Sequence, residues 1–259
     1  MRPVWVYTSR AANPADKESP LNRSQNRDPD QFRTIKFTRA FTENTPGSVL
    51  IETGNTKVLC TVSITDHVPQ WMHGRGGGWL TAEYAMLPGA THGRKFRDGR
   101  NNRVDARSLE IQRLIGRSLR STVNLKSLPE ITLWVDCDVL SADGGTRTAS
   151  INGACVALYD ALLYLEERKD IRNWPMPDLV SAMSVGIYNG ETLVDLDYKE
   201  DSNASVDLNI VCNSGGDYVE VQGSAEGNPF TPEQLAEMLE CGRTACARVE
   251  KEQRAALGL

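Results

Sequence analysis

A short turn that combines glycines, a hydroxyl and a guanidinium is the first feature of this chain that could do chemistry. It is formed by Asp143, Gly144, Gly145, Thr146 and Arg147, directly before a predicted helix. A helix N-terminus leaves backbone N–H groups free and carries a partial positive charge, so it can hold a phosphate, and an arginine adds charge-assisted hydrogen bonds. The alternative is a plain tight turn with a surface arginine, because the Walker pattern is absent.

A basic segment from residue 93 to residue 107 is the second candidate. A flexible basic loop can follow an RNA backbone electrostatically without reading its sequence. Arg107 is nearest to the following helix, so it could be held rigidly enough for catalysis. The alternative is a solvated loop. The remaining arginines of the segment are the predicted RNA-binding residues: Arg94, Arg97, Arg100 and Arg103.

Two carboxylates around a predicted strand are the third candidate. Strand alternation places Val206 and Leu208 on one face and Asp207 on the other, and Asp201 precedes the strand by a short turn. Two carboxylates at a strand entrance can bind a hard cation such as Mg²⁺, which neutralises phosphate oxygens during transfer. The alternative is an acidic turn that faces water.

Covalent hydrolase chemistry has little support in the sequence. The histidines His67, His73 and His92 have no spacing that suits metal ligands, and no serine or cysteine lies in a nucleophile-elbow context.

A net charge of −5 and a pI near 5.4 argue against a generally basic surface. Any contact with RNA must therefore use a local positive patch.

The cysteines and the apolar runs indicate a cytoplasmic protein. The six cysteines show neither paired spacing nor histidines suited to a zinc site, which favours a reducing compartment. The N-terminus has no signal-peptide core, and no later apolar run approaches membrane-spanning length.

Strands and helices are mixed along the chain, which predicts a layered α/β (α+β) domain. Residues 1–31 lack periodicity and are predicted to form a flexible leader, with the folded domain at 32–259. A hairpin is predicted at 48–52 and 57–64, and helices at about 106–122, from the 144–147 turn onward, and from a capping box at Thr231. The other predicted strands are 131–135, 180–188, 192–197, 205–211 and 217–222.

Six motifs follow one another between residue 32 and about residue 255. They are Gly78-Trp79-Leu80-Thr81-Ala82-Glu83-Tyr84, Glu110-Ile111-Gln112-Arg113-Leu114-Ile115-Gly116-Arg117, Asp136-Cys137-Asp138 through to Arg147, Glu200-Asp201, Asp207, and Glu220-Val221-Gln222-Gly223-Ser224-Ala225-Glu226-Gly227. Together these motifs give the chain a resemblance to the ribonuclease PH family. It departs from the family at Gly89, where an arginine is common, and at Ser224, where threonine is usual.

The resemblance implies a fold of pseudo-repeated β-α units and a phosphate-dependent 3′-to-5′ exoribonuclease that trims RNA, with transfer-RNA precursors as the expected substrates, as a homohexamer built from dimers. It implies a phosphate site of Arg107, Gly145, Thr146 and Arg147. It also implies that Asp201 and Asp207 bind Mg²⁺ or Mn²⁺, and that these two aspartates act in catalysis with Arg107 and Arg147. Inorganic phosphate is then a co-substrate. The alternatives are a metal-dependent hydrolytic exoribonuclease and a non-catalytic, exosome-like RNA-binding ring subunit.

Overall fold

Two β-sheets that share contacts with one long helix form the centre of the protein. The computed structural model describes residues 23–98 and 104–259. The predicted positions Arg100 and Arg103 and residues 1–22 lie outside these ranges. The described part contains nine strands and four helices in mixed order, so the predicted α+β class is confirmed.

The first sheet has the strand order β1-β2-β3-β5-β4. The predicted hairpin is present as β2 and β3, and β4 pairs with β5 in the parallel direction, whereas the other pairs are antiparallel. The predicted strand at 131–135 extends to Ser141, because Asp136 and Asp138 lie on the half-exposed face while the alternate residues are buried. The strands are β1 (Ile35–Arg39), β2 (Gly47–Thr53), β3 (Thr56–Thr65), β4 (Trp79–Met86) and β5 (Thr132–Ser141).

The second sheet has the order β7-β6-β8-β9 and is antiparallel throughout. The strand predicted at 192–197 ends at Val194, because Asp195 adopts a positive φ of 55° and turns its buried carboxylate toward arginines. The strands are β6 (Val180–Tyr188), β7 (Glu191–Val194), β8 (Val206–Asn213) and β9 (Tyr218–Ala225).

Helix α2 (Thr146–Glu167) contacts both sheets. Its residues from Ile151 to Leu158 are fully buried or nearly so. By length and composition it is also apolar enough to cross a membrane, although the sequence predicted no apolar run of that length. Most of it is buried inside the fold, as expected for a core helix. Its N-terminus meets the face of β6 and β8 that carries alternate polar residues.

Three further helices complete the described fold: α1 (Ala106–Arg120), the single turn α3 (Tyr198–Asp201) and α4 (Pro232–Leu257). Helix α1 packs on β4, and α4 covers the opposite face of the second sheet from the one that α2 contacts. The capping box predicted for the last helix is present, with Thr231 and Gln234 exchanging hydrogen bonds. Local sequence chemistry therefore fixes where this helix starts.

Residues 23–31, which the sequence assigns to the leader, are docked on the second sheet. Arg23 donates to both carboxylate oxygens of Glu200 and to the carbonyl oxygen of Val194. Arg27 donates to the carbonyl oxygen of Asp195 and to Glu200. These arginines are buried because carboxylates and carbonyl oxygens satisfy their charges and donors. A segment held by ion pairs and hydrogen bonds in this way has no apolar periodicity in its sequence.

Candidate active site

A cavity of about 420 Å³ lies where the N-terminus of α2 meets the polar face of the second sheet. The structure brings together all six residues that the resemblance assigns to phosphate, metal and catalysis. They reach the cavity from α1, the N-cap and first turn of α2, the end of α3 and β8, and they are Arg107, Gly145, Thr146, Arg147, Asp201 and Asp207. Motifs that are separate in the sequence thus contribute residues to one site.

The glycine turn has the geometry expected of an anion cradle. Gly144 and Gly145 have φ angles of 77° and 65°, which a side chain would strain, and a Cβ at Gly144 would lie 2.4 Å from the carbonyl oxygen of Leu196. Among the described residues, no side chain caps the N-terminus of α2. Its first N–H groups therefore remain available to an anion in the cavity.

Arg147 is oriented by two neighbours that the sequence did not connect with it. Its Nη2 donates to Oε2 of Glu110 at 3.1 Å, and Gln222 donates to the other oxygen of Glu110 at 2.8 Å. Burial opposes the ionisation of Glu110, but the hydrogen bond from Gln222 and the charge of Arg147 lower its pKa overall. The Nε of Arg147 is buried without a partner among the described residues, so it retains a hydrogen-bond donor for a ligand.

Thr146 and Arg107 complete the positive side of the cavity. The Thr146 hydroxyl shares a 2.9 Å hydrogen bond with the hydroxyl of the buried Tyr84, which fixes it at the first position of α2. Arg107 is the second residue of α1, whose N-cap Asp105 accepts its backbone N–H. Within the described ranges, the Arg107 guanidinium forms no ion pair shorter than 4 Å, so its charge is free to meet an anion.

Asp201 and Asp207 form a pair of carboxylates on the other side of the cavity. Burial raises the pKa of both. For Asp207, burial and then the nearby charge of Asp201 raise the pKa to about 6, although Arg147, Asn209 and Arg107 act in the opposite direction. The two carboxylates are thus close enough to repel one another in a place where water is scarce.

The pair has the donor chemistry that a divalent cation requires. Neither carboxylate forms an ion pair within 4 Å in the part of the chain that the structure describes, and Asp207 accepts only a long 3.5 Å hydrogen bond from Asn209. Hard cations such as Mg²⁺ prefer carboxylate oxygens, commonly one or two of them together with water and substrate phosphate. No cluster of three or more acidic, histidine or cysteine ligands occurs among the described residues. Asp201 and Asp207 therefore fit a cation that is completed by water and substrate.

The basic loop lies beside the cavity. Arg94 and Arg97 are exposed. Burial raises the pKa of Asp138 on β5, and the positive charge of Arg97 acts in the opposite direction. Lys95 lines the cavity and pairs with Asp105 at 2.8 Å, which joins the loop to the start of α1. The loop therefore borders the cavity next to the start of α1.

Several residues near the cavity had no role in the sequence reasoning. Ser184 lines it from β6, and its buried hydroxyl has no hydrogen-bond partner among the described residues. Tyr198 lines it from the first position of α3. Tyr84 and Gln222 lie in motifs that carry the family resemblance, but spacing alone does not show their partners.

An arginine-flanked glycine turn opposite two carboxylates is suited to chemistry on a phosphorylated substrate. Comparison with known families agrees with this class. Residues 31–163 match domain 1 of the 3′ exoribonuclease family, and residues 178–245 match its domain 2. The chain belongs to this family, the ribonuclease PH family, as its motifs predicted.

Solved structures with the same fold include exosome subunits. The Archaeoglobus fulgidus exosome with RNA bound to the active site is 22% identical with a TM-score of 0.75, over 89% of this chain and 92% of that chain. Rice (Oryza sativa) Rrp46 is 21% identical with a TM-score of 0.73, over 91% and 100%. The archaeal exosome core is 22% identical with a TM-score of 0.70, over 90% and 91%. At these identities the likeness concerns the fold.

Proposed function

We propose that this protein is a phosphate-dependent 3′-to-5′ exoribonuclease that shortens RNA and releases nucleoside 5′-diphosphates. The observation that carries the proposal is the position of the glycine turn with Arg147 and Arg107 across one cavity from Asp201 and Asp207. A prebuilt anion site beside a pair of carboxylates supplies a place for inorganic phosphate as well as for the scissile phosphodiester.

In this reaction an oxygen of inorganic phosphate attacks the phosphorus of the terminal phosphodiester. The bond from that phosphorus to the 3′-oxygen of the preceding nucleotide breaks, and the 3′-oxygen takes up a proton. Arg107, Arg147 and the N–H groups at the start of α2 hold the attacking phosphate, and they stabilise the negative charge of the transition state. Asp207, with its pKa raised to about 6, is the candidate donor of the proton.

Asp201 and Asp207 are also the residues that would hold a divalent cation such as Mg²⁺ or Mn²⁺. When bound, the cation neutralises charge on the phosphate oxygens. Which carboxylate serves mainly as acid and which mainly as ligand is open to experiment.

We propose that RNA reaches the cavity along the basic loop of Arg94 and Arg97, and that transfer-RNA precursors are substrates. The family supports an assembly that forms rings, and we propose a homohexamer built from dimers. A cytoplasmic location fits the six cysteines, which are all free.

Two alternatives are kept because each makes a different prediction. A metal-dependent hydrolytic exoribonuclease uses the same carboxylates with water as the nucleophile. A non-catalytic ring subunit of an exosome-like assembly is the second alternative, because the chain shares its fold with rice Rrp46 and the archaeal exosomes. The retention of both arginines and both aspartates in one cavity favours the enzyme.

One experiment separates the three functions. RNA labelled at its 3′ end is incubated with the protein and Mg²⁺, with and without inorganic phosphate, and the released nucleotides are separated. Diphosphates that appear only with phosphate support phosphorolysis. Monophosphates in both reactions show hydrolysis, and RNA binding without release shows a non-catalytic subunit.

A further inference from the structure

The cavity is larger than an inorganic phosphate requires. Its volume is about 420 Å³, whereas a phosphate ion displaces only a few water molecules of roughly 30 Å³ each. Beyond the glycine turn and the charged residues, the lining includes Met86, Ala142 and Tyr198. An apolar part beside an anion cradle suits a ligand that has both a phosphate and a flat organic group.

Tyr198 contributes the largest flat side chain to the described lining of this cavity. Its side chain is 58% exposed, although it belongs to the cavity lining. The described part of the chain shows no hydrogen bond to its hydroxyl and no stacking partner for its ring. The ring therefore has a free face next to the cavity.

The backbone holds Tyr198 in place independently of its side chain. Its N–H donates to Oδ1 of Asp143, the residue before the glycine turn, at 3.4 Å. The same single-turn helix ends at Asp201, and its capping box joins Asp197 and Glu200. The backbone of Tyr198 is consequently anchored between the anion turn and the helix end that carries Asp201, and its side chain lies beside the cavity.

A single exposed aromatic residue is common on protein surfaces and needs no ligand. Tyr164 and Tyr218 are examples in this protein, 39% and 43% exposed, and neither lines the cavity. Tyr198 differs from them in its position beside the anion turn.

We propose that Tyr198 is the stacking surface for the base of the 3′-terminal nucleotide, an inference that rests on the proposed exoribonuclease function. Stacking on an aromatic ring tolerates every base, because each base has a π-face. An exonuclease that removes successive nucleotides needs such tolerance. Purines present a larger face than pyrimidines, so purine-ended RNA binds more tightly than pyrimidine-ended RNA of otherwise equal sequence.

The test uses an RNA with 2-aminopurine at its 3′ end, whose fluorescence falls when the base stacks. Binding is measured without phosphate, and phosphorolysis is then followed at varied RNA and phosphate concentrations. The variants are Tyr198→Ala, Tyr198→Phe and the control Tyr164→Ala. We expect Tyr198→Ala to abolish most of the quenching and to weaken RNA binding by roughly 5- to 150-fold, the range for loss of one base–aromatic stack.

The expected pattern also includes near-normal quenching in Tyr198→Phe and Tyr164→Ala, and an unchanged dependence on phosphate concentration in all three variants. The preference for a purine end disappears in Tyr198→Ala. Equal losses in Tyr198→Ala and Tyr198→Phe would indicate a hydrogen bond from the hydroxyl and overturn the stacking role. Unchanged quenching in Tyr198→Ala, or an equal loss of phosphate affinity, would also overturn it.

The two proposals fail in different ways. If wild-type protein releases no diphosphates with phosphate present, the proposed function fails, and the stacking role in phosphorolysis fails with it. If wild-type protein releases diphosphates but Tyr198→Ala behaves as wild type, only the stacking inference fails. The side chain can be removed without unfolding α3, because the hydrogen bond to Asp143 comes from the backbone.

Discussion

Arg33 and Asp195 are joined by two hydrogen bonds of 2.8 and 2.7 Å between almost completely buried side chains. The same guanidinium donates to the carbonyl oxygens of Asp143 and Gly144. Arg33 thus connects the turn that forms the anion cradle with the segment that leads to Asp201. One buried ion pair therefore links the anion-binding side of the cavity to the side that carries the two carboxylates.

Replacement of Arg33 should destabilise the fold strongly. Arg33→Met leaves the buried carboxylate of Asp195 with the backbone N–H of position 33 and, as its only ion pair among the described residues, the longer 3.5 Å contact with Arg27. The free energy of unfolding should therefore fall by about 3–5 kcal/mol. Urea unfolding followed by tryptophan fluorescence measures this. The matched control is Arg39→Met, which removes a partly exposed pair with Asp160 and should cost about 1 kcal/mol or less. Similar losses in both variants would refute a special role for Arg33.

Loss of Arg147 should remove activity without unfolding the protein. Arg147→Ala is expected to lower phosphorolysis by about 100-fold or more, because one donor to the transition-state charge is lost. Product release at saturating RNA and varied phosphate is the measurement. Arg243→Ala, which removes an exposed arginine on α4, should leave the rate unchanged. Normal turnover in Arg147→Ala would exclude this residue from the phosphate site.

Asp207 should make the cation-free protein less stable as the pH rises. Burial and the charge of Asp201 raise the pKa of Asp207 to about 6, whereas an unfolded aspartate titrates near about 3.9. Between these values the folded state keeps a proton that the unfolded state has lost, so stability falls with rising pH and the full loss is present above pH 6 or so.

Asp207→Asn removes this charge, and it should therefore stabilise the cation-free protein at pH 7.5 by about 2–3 kcal/mol while abolishing activity. Near pH 4 the variant and wild type should be equally stable. Mn²⁺ should raise the melting temperature of wild type at pH 7.5 but have little effect on the variant. The exposed Asp178→Asn serves as control. Equal pH profiles for Asp207→Asn and wild type would contradict the buried carboxylate pair.

Neutralising the basic loop should weaken RNA binding without affecting phosphate. In the double variant Arg94→Gln with Arg97→Gln, the slope of log K against log salt should become shallower by about 0.7 for each phosphate of single-stranded RNA that the loop no longer neutralises. Equilibrium binding of labelled RNA at several salt concentrations gives this slope. Arg172→Gln with Arg243→Gln makes the same change of net charge elsewhere and should leave the slope unaltered. A change of similar size in that control would point to a general charge effect.

An arginine at Gly89 should tighten the binding of long RNA. The space around Gly89 is open and its φ is not positive, so a side chain fits there without strain. Gly89→Arg adds a charge close to the loop that lines the cavity, and the gain in transfer-RNA affinity should fade as salt screens it. Cleavage of very short oligonucleotides and thermal stability should be unchanged. A gain that persists at high salt would rule out an electrostatic origin.

Features with local physical causes could be predicted from the sequence. The strand predicted at 180–188 is present with the same bounds, and Thr231 caps the last helix as its capping box indicates. Alternation along β8 places Asp207 on the face opposite to Val206 and Leu208, as expected. Strand alternation, helix capping and turn formation each depend on a few neighbouring residues, so the sequence alone determined these features.

Only the tertiary structure decided which of these local features meet. Arg107, Arg147 and Asp207 are separated by tens of residues, and they line one cavity because α1, α2 and the second sheet pack as they do. The burial of Arg23 and Arg27 against Glu200 has the same origin. Such contacts depend on the packing of whole elements and on the pairing of distant charges, and neither leaves a periodic signal in the chain.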